Sequence, residues 1–142
     1  MKKNTLDIEY SYEFELFGLS TAAREYRLAW EINKACDIAL VKDEDIPYEL
    51  RSGKKVLISC YVYETENQVL RMLKNKPVEG QSPSFQFLLP EVKQFDYLLM
   101  LEGEGDTIHP EHLKEILSNL PIIQYFTKLD TDKLKSRDNL IF

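Results

Sequence analysis

Apolar and polar positions alternate most regularly near the start of the chain. Ile8, Tyr10, Tyr12, Phe14 and Leu16 fall on one side, and Asp7, Glu9, Ser11, Glu13 and Glu15 on the other. A period of two predicts a strand over residues 8–16, one face on a core and one in water. Phe17 interrupts the polar side, and Gly18 is expected to end or bend the strand. From Thr21 to Cys36 the period lengthens to that of a helix. Tyr26, Ala29, Trp30 and Asn33 form one stripe, and Leu28, Ile32 and Ala35 form the next. So broad an apolar face predicts close packing on a sheet, with Ser20 or Thr21 as the N-terminal cap. Trp30, the sole tryptophan, falls inside that face and is expected in the core. Arg27 and Glu31 stand four apart and predict a weak surface pair.

Beyond the helix, Ile38 to Val41 is a short apolar run and Asp43 to Pro47 a polar loop. Val56 to Tyr63 reads as a strand apolar on both sides. Glu64 to Asn67 turns the chain, and Gln68 to Leu73 returns it as a hairpin. Lys74 to Pro83 is a loop, and Phe85, Phe87 and Leu89 alternate as one more short strand. Phe95 to Leu101 is apolar on both faces and belongs in the middle of a sheet. Pro110 suits a first helical turn, Leu113, Ile116, Leu117 and Leu120 give the helix its stripe, and Pro121 stops it. Ile122 to Leu129 resumes as a strand. This order predicts an α+β fold: a single mixed, mainly antiparallel sheet with two main helices packed on one face. The paired β-α-β units suggest a ferredoxin-like or ACT-like sheet by analogy, with a right-handed crossover where flanking strands are parallel.

Composition narrows the class. At 142 residues and 44% hydrophobic, the chain is one domain, residues 1–142, able to bury a core without metal or disulfide support. Its 18 Lys and Arg stand against 24 Asp and Glu, a net charge of −6 shared equally when the chain is divided after Arg71. The nearest approach to a basic cluster, Lys133, Lys135 and Arg137, is interrupted by Asp132 and Asp138, so nucleic acid is not an expected partner. No apolar run is long enough to span a membrane. The early acidic residues, Asp7, Glu9, Glu13 and Glu15, do not fit a signal peptide, and the expected location is cytoplasmic. Cys36 and Cys60 lie in apolar contexts and read as small buried side chains; a disulfide between them is not required.

Leu89-Pro90-Glu91, three intervening residues, then Phe95-Asp96-Tyr97 resembles the motif of the bacterial IPExxxVDY family. Pro90, Glu91, Asp96 and Tyr97 match it, while Leu89 replaces Ile and Phe95 replaces Val. Gly18-Leu19-Ser20-Thr21, Tyr26 to Trp30 with Ile32-Asn33, and the closing Asn139-Leu140-Ile141-Phe142 are similar to the family's pattern as well. The resemblance covers essentially the whole chain. It implies a bacterial, cytoplasmic setting and carries no mechanism.

Read physically, Pro90 holds Leu89 extended and starts a turn, Asp96 accepts backbone N–H groups, and Tyr97 enters the core. The chemical alternative makes Glu91 and Asp96 a carboxylate pair for acid–base work or metal binding. A second candidate is the acidic loop Glu102, Glu104 and Asp106 with His109, at the C-terminal end of a central strand, where open sheets host ligands. Its bland reading is a turn. His109, Glu111 and His112 are too few and too closely spaced for a recognisable zinc site. A Cys or Ser triad would have to use His109 or His112 with a remote nucleophile such as Cys60, whose apolar strand context argues for an inert thiol. The expectation is a non-enzymatic protein-interaction or regulatory domain with no cofactor, acting on a protein partner or as a homodimer. The alternative is a small-ligand or divalent-ion sensor. Asn139 to Phe142 either docks on its own domain or adds to a partner.

Overall fold

The computed structural model describes residues 14–78, 82–105 and 107–141. Most of the acidic face expected of the first strand, Asp7 to Glu13, lies outside these residues. Within them, β1 (Phe14–Ser20), β2 (Val41–Lys42), β5 (Cys60–Glu64), β6 (Gln68–Lys74), β7 (Tyr97–Gly103) and β8 (Tyr125–Leu129) form a six-stranded sheet. Its order is β2-β5-β6-β7-β1-β8, and every neighbouring pair is antiparallel. A second sheet is the hairpin of β3 (Ile46–Glu49) and β4 (Lys55–Ile58). Helices α1 (Glu25–Cys36) and α2 (Pro110–Ser118) complete the α+β fold. Neither is long and apolar enough to cross a membrane.

The four strands β6-β7-β1-β8 have the order and pairing of a ferredoxin-like sheet. β1 runs parallel to β6 with β7 between them, and α1 lies in the connection. β7 runs parallel to β8 with β1 between them, and α2 makes that connection. The expected single, mixed sheet is thus corrected: adjacent strands are all antiparallel, and β2 to β5 enter as an insertion between α1 and β6.

Gly18 does not end the first strand. β1 continues through it, flanked by β7 and β8, and Leu16, Phe17 and Leu19 are all buried. The glycine serves close approach: a Cβ there would lie 2.7 Å from the Phe95 ring. The expected half-wet strand is therefore a central one over its described length.

Side chains from alternate positions make two cores. Phe17, Leu19, Leu70, Met72, Leu99 and Leu101 face Leu28, Ala29 and Ile32 of α1 and Leu113 and Leu117 of α2. Both helices therefore lie on one face. Leu16, Leu73, Leu98 and Met100 point the other way, toward Ile58, Leu88, Leu89, Leu134 and Leu140.

Several sequence boundaries shift for identifiable reasons. α1 begins at Glu25, with Arg24 rather than Ser20 or Thr21 at the N-cap position and no side-chain cap. Thr21 is engaged elsewhere: its N–H donates to Asp96 Oδ2 (3.0 Å) and its hydroxyl to the Ile122 carbonyl (2.7 Å). The Val56–Tyr63 run is two strands in different sheets, parted at buried Ser59, whose hydroxyl donates to Glu25 Oε1 at 2.8 Å. Ile46 and Pro47 belong to β3 rather than to a loop. The last strand starts at Tyr125, not Ile122.

Phe85 to Leu89 is not a strand. It makes only an isolated bridge, Ser82 to Phe85. Leu88 and Leu89 are both fully buried, which alternation would not allow, and their N–H groups bond to Asn75 instead.

Candidate functional site

The Leu89–Tyr97 motif is built around Asn75, the last side chain sequence reasoning would have singled out. Asn75 follows β6 and is 0% exposed. Its Oδ1 accepts the Leu89 N–H (2.8 Å), and its Nδ2 donates to the carbonyls of Val92 (3.2 Å) and Phe95 (3.0 Å). Its own N–H donates to the Asp96 carbonyl at 3.0 Å, and its carbonyl accepts from Leu88 at 3.0 Å. Pro90 to Val92 form a 3-10 turn around this side chain. One residue thus complements the turn's own backbone bonds, Val92 to Leu89 and Phe95 to Val92, where the motif has no strand or helix to pair it.

Glu91 and Asp96 are drawn to different partners. Glu91 Oε2 accepts the Ser136 N–H at 2.6 Å and ties the 3-10 turn to the C-terminal segment. Burial pushes its carboxyl up, but hydrogen bonds from its own backbone and from Ser136 and Lys135 outweigh this and hold it below the usual value. Asp96 Oδ2 accepts the Thr21 N–H and fixes the passage from β1 into α1. Tyr97 is buried, and its hydroxyl donates to the Ala23 carbonyl at 3.3 Å. Burial, with Glu25 and Asp96 nearby, raises the phenol to about 12. The acid–base pairing of Glu91 and Asp96 draws no support from these contacts. Each oxygen engaged here holds backbone.

The described residues of the acidic loop are held by contacts with β6 and its turn. Glu102 lies on β7 and pairs across the sheet with Arg71 of β6. Gly103 takes a left-handed conformation (φ 87°), and a Cβ there would fall 2.1 Å from the Asn67 carbonyl oxygen. Buried Gln68 then clamps the loop: its Nε2 donates to the Ile108 carbonyl (2.7 Å), and its Oε1 accepts the Ile108 N–H (3.0 Å). Glu104 and His109 are exposed, and Asp106 lies outside the described residues. His109 is the N-cap residue of α2 and makes no side-chain cap. His109, Glu111 and His112 border a shallow depression along α2. Among the described residues, no three His, Cys, Asp or Glu side chains gather to hold a metal ion.

Both cysteines are free, Cys60 buried and Cys36 half-buried. Burial raises each thiol to about 11, so neither is a thiolate at neutral pH. The C-terminal segment docks on its own domain over its described part. Leu140 is buried beneath the sheet, Asn139 Nδ2 donates to the Leu88 carbonyl (2.9 Å), and the Tyr48 hydroxyl donates to the Asn139 carbonyl.

Two surface features remain. The first is the outer face of α1. Trp30 is 54% exposed and Tyr26, one turn earlier, 66%, which corrects the expectation that both pack in the core. The inward stripe is complete with Leu28, Ala29 and Ile32, and a 12-residue helix leaves its opposite side to solvent. Lys34 Nζ lies 5.0 Å from the Trp30 ring centre, and the Arg27 guanidinium lies 5.8 Å from it. Arg27 also makes the expected pair with Glu31, at 3.0 Å.

The second feature is a cleft of about 290 Å³ where α1 begins. Its wall carries Arg24, Lys74, Lys76 and Lys93 with a single carboxylate, Asp96, and buried Phe95 and Tyr97 also line it. These cations come from three stretches of chain, so nothing in their spacing could announce them. What fold and surface define is an α+β domain of ferredoxin-like strand order with an aromatic helix face and a basic cleft. No family model, no curated protein and no solved structure matches the chain.

Proposed function

We propose that this domain is a non-enzymatic protein-interaction module that binds an acidic segment of a partner protein across the outer face of α1. The observation that carries this reading is the exposed Tyr26–Trp30 pair. Tyrosine and tryptophan are favoured interface anchors because they bury large areas with few rotors to freeze. Lys34 and Arg27 flank the indole, and Lys34 supplies the charge that an acidic segment complements, Arg27 being paired with Glu31. Glu31, the carboxylate on the same side, is bonded to Arg27 Nε at 3.1 Å. The matches at Pro90, Glu91, Asp96 and Tyr97 support membership of the bacterial IPExxxVDY family, and the cytoplasm is the proposed location. The small-ligand alternative draws its support from the basic cleft rather than from the acidic loop.

The test places a photo-crosslinking residue at Tyr26 in the full chain and maps the captured peptide in cells. Crosslinks to an acidic segment that disappear in Trp30→Ala support the reading. Trp30→Ala should leave stability within about 0.5 kcal/mol, since the ring is surface-exposed. Capture that is indifferent to Trp30→Ala and Lys34→Glu overturns it. A crosslink to a second copy of this chain assigns the face to a homodimer instead.

A further inference from the structure

We propose that the cleft between the start of α1 and the Leu89–Tyr97 motif is a binding site for a phosphate group. The chain as a whole carries a net charge of −6, yet here four cations, Arg24, Lys74, Lys76 and Lys93, border one cavity of about 290 Å³. Arg24, Lys74 and Lys93 belong to none of the ion pairs among the described residues, and Lys76 Nζ rests 5.7 Å from the Phe87 ring centre. Four like charges facing one carboxylate repel one another, and an anion relieves that repulsion.

The local carboxylates offset only part of this charge. Glu25, next to Arg24, accepts the hydroxyl of Ser59 and does not border the cleft. Asp96 does border it, but its Oδ2 accepts the Thr21 N–H. That bond, the bond from the Ala23 N–H to Thr21 Oγ1 (3.1 Å) and the Tyr97 bond to the Ala23 carbonyl fix the segment that carries Arg24. Asp96 and Tyr97 therefore position the part of the wall that carries Arg24, and Lys93 of the same motif faces the ligand. The N-terminal end of α1 adds partial positive charge of the same sign, secondary to the four side chains.

Four cations against one carboxylate match a phosphate dianion better than a single carboxylate ligand. A phosphate offers three acceptor oxygens to guanidinium and ammonium donors together. The volume sits at the lower end of small-molecule sites, enough for a phosphate and a small attached group. Phe87, also on the wall, offers an apolar surface to such a group.

The test is a titration of the isotope-labelled full chain, followed by amide NMR at constant ionic strength, with inorganic phosphate and separately with phenyl phosphate. Saturable shifts at Ala22, Ala23, Arg24, Lys74 and Lys93 are expected. The affinity should fall about tenfold in Arg24→Gln and in Lys93→Gln, the size of one lost charge-assisted contact. It should be unchanged in Lys114→Gln, on α2. Tighter binding of phenyl phosphate assigns a phosphate ester, and equal or weaker binding assigns free phosphate. Shifts that do not saturate by about 10 mM, far weaker than a useful site, overturn the proposal. So does an equal loss of affinity in Lys114→Gln, the mark of diffuse charge attraction.

Discussion

On one face of the six-stranded sheet, α1 and α2 lay Leu28, Ile32, Leu113 and Leu117 over Phe17, Leu70 and Leu99. On the other, the β3–β4 hairpin, the stretch around Leu88 and Leu89, and the segment bearing Leu134 and Leu140 do the covering. The helices satisfy their own backbone, so their face needs apolar side chains and only a few polar clamps at the connections. Asn33 supplies one by pairing with both backbone groups of Leu40, and Gln68 supplies another at Ile108. Outside the β3–β4 hairpin, this cover has no ladder of its own. Its backbone groups are met by individual side chains: Asn75 for the motif, Glu91 for Ser136, and Asn139 and Tyr48 for the C-terminal segment. Burial of similar surfaces thus places different demands on sequence. Regular cover asks for periodicity, whereas irregular cover asks for particular polar residues at particular points.

This contrast can be broken most directly at Asn75. Asn75→Leu leaves the Leu89 N–H and the Phe95 carbonyl without the side-chain partner that holds them and removes one of two donors to the Val92 carbonyl, and should destabilise the fold by about 3 kcal/mol in urea unfolding. That loss rivals Leu117→Ala in the helix core, also about 3 kcal/mol. A loss below about 1 kcal/mol would mean that apolar burial alone holds the irregular face.

Gly18→Ala should come next. Its methyl would meet the Phe95 ring at 2.7 Å, and overpacking of this kind costs about 1–3 kcal/mol. Phe95→Leu in the same chain should recover part of the loss, so a double-mutant cycle reads the contact directly.

The smallest effect is electrostatic. Glu91 has its folded pKa below the ordinary 4.5, so its bond to Ser136 contributes stability in full above that value. The contribution disappears as pH falls through the lowered folded value. Glu91→Gln should lower stability at neutral pH by only about 0.5 kcal/mol, because the group is largely solvated. The difference between the two proteins should vanish under acid. A difference that grows on acidification would sink this account of the Glu91 bond.

The regular face was the more legible one in sequence. The spacing of Leu113, Ile116 and Leu117 and the placement of Pro110 locate α2 almost to the residue. The doubly apolar run from Phe95 to Leu101 locates a central strand, which in the fold spans Tyr97–Gly103. The Trp30 misplacement shows the limit of the same signal: a stripe of 3.6 period says which residues share a side, not how wide a contact the sheet provides. The Phe85–Leu89 misreading is of a different kind. Alternation over five residues imitates a strand, but the chain there is held by Asn75, whose partners lie 14 to 20 positions away. As for the binding surfaces, the α1 aromatics were visible as residues but assigned inward. The basic cleft was hidden by an even charge balance, since both halves of the chain carry the same net charge.

The sequence by itself determined the α+β class, both helices, the hairpin of β5 with β6 and the centrality of β7, because each rests on local periodicity that burial enforces. Tertiary structure alone decided that β1 inserts between β7 and β8, that Ser59 divides one apolar run between two sheets, and that Gly18 seats a ring rather than a turn. It also decided where Arg24, Lys74, Lys76 and Lys93 meet. Strand order and charge clustering depend on which distant segments are brought side by side, and periodicity records only how each segment meets its own neighbours.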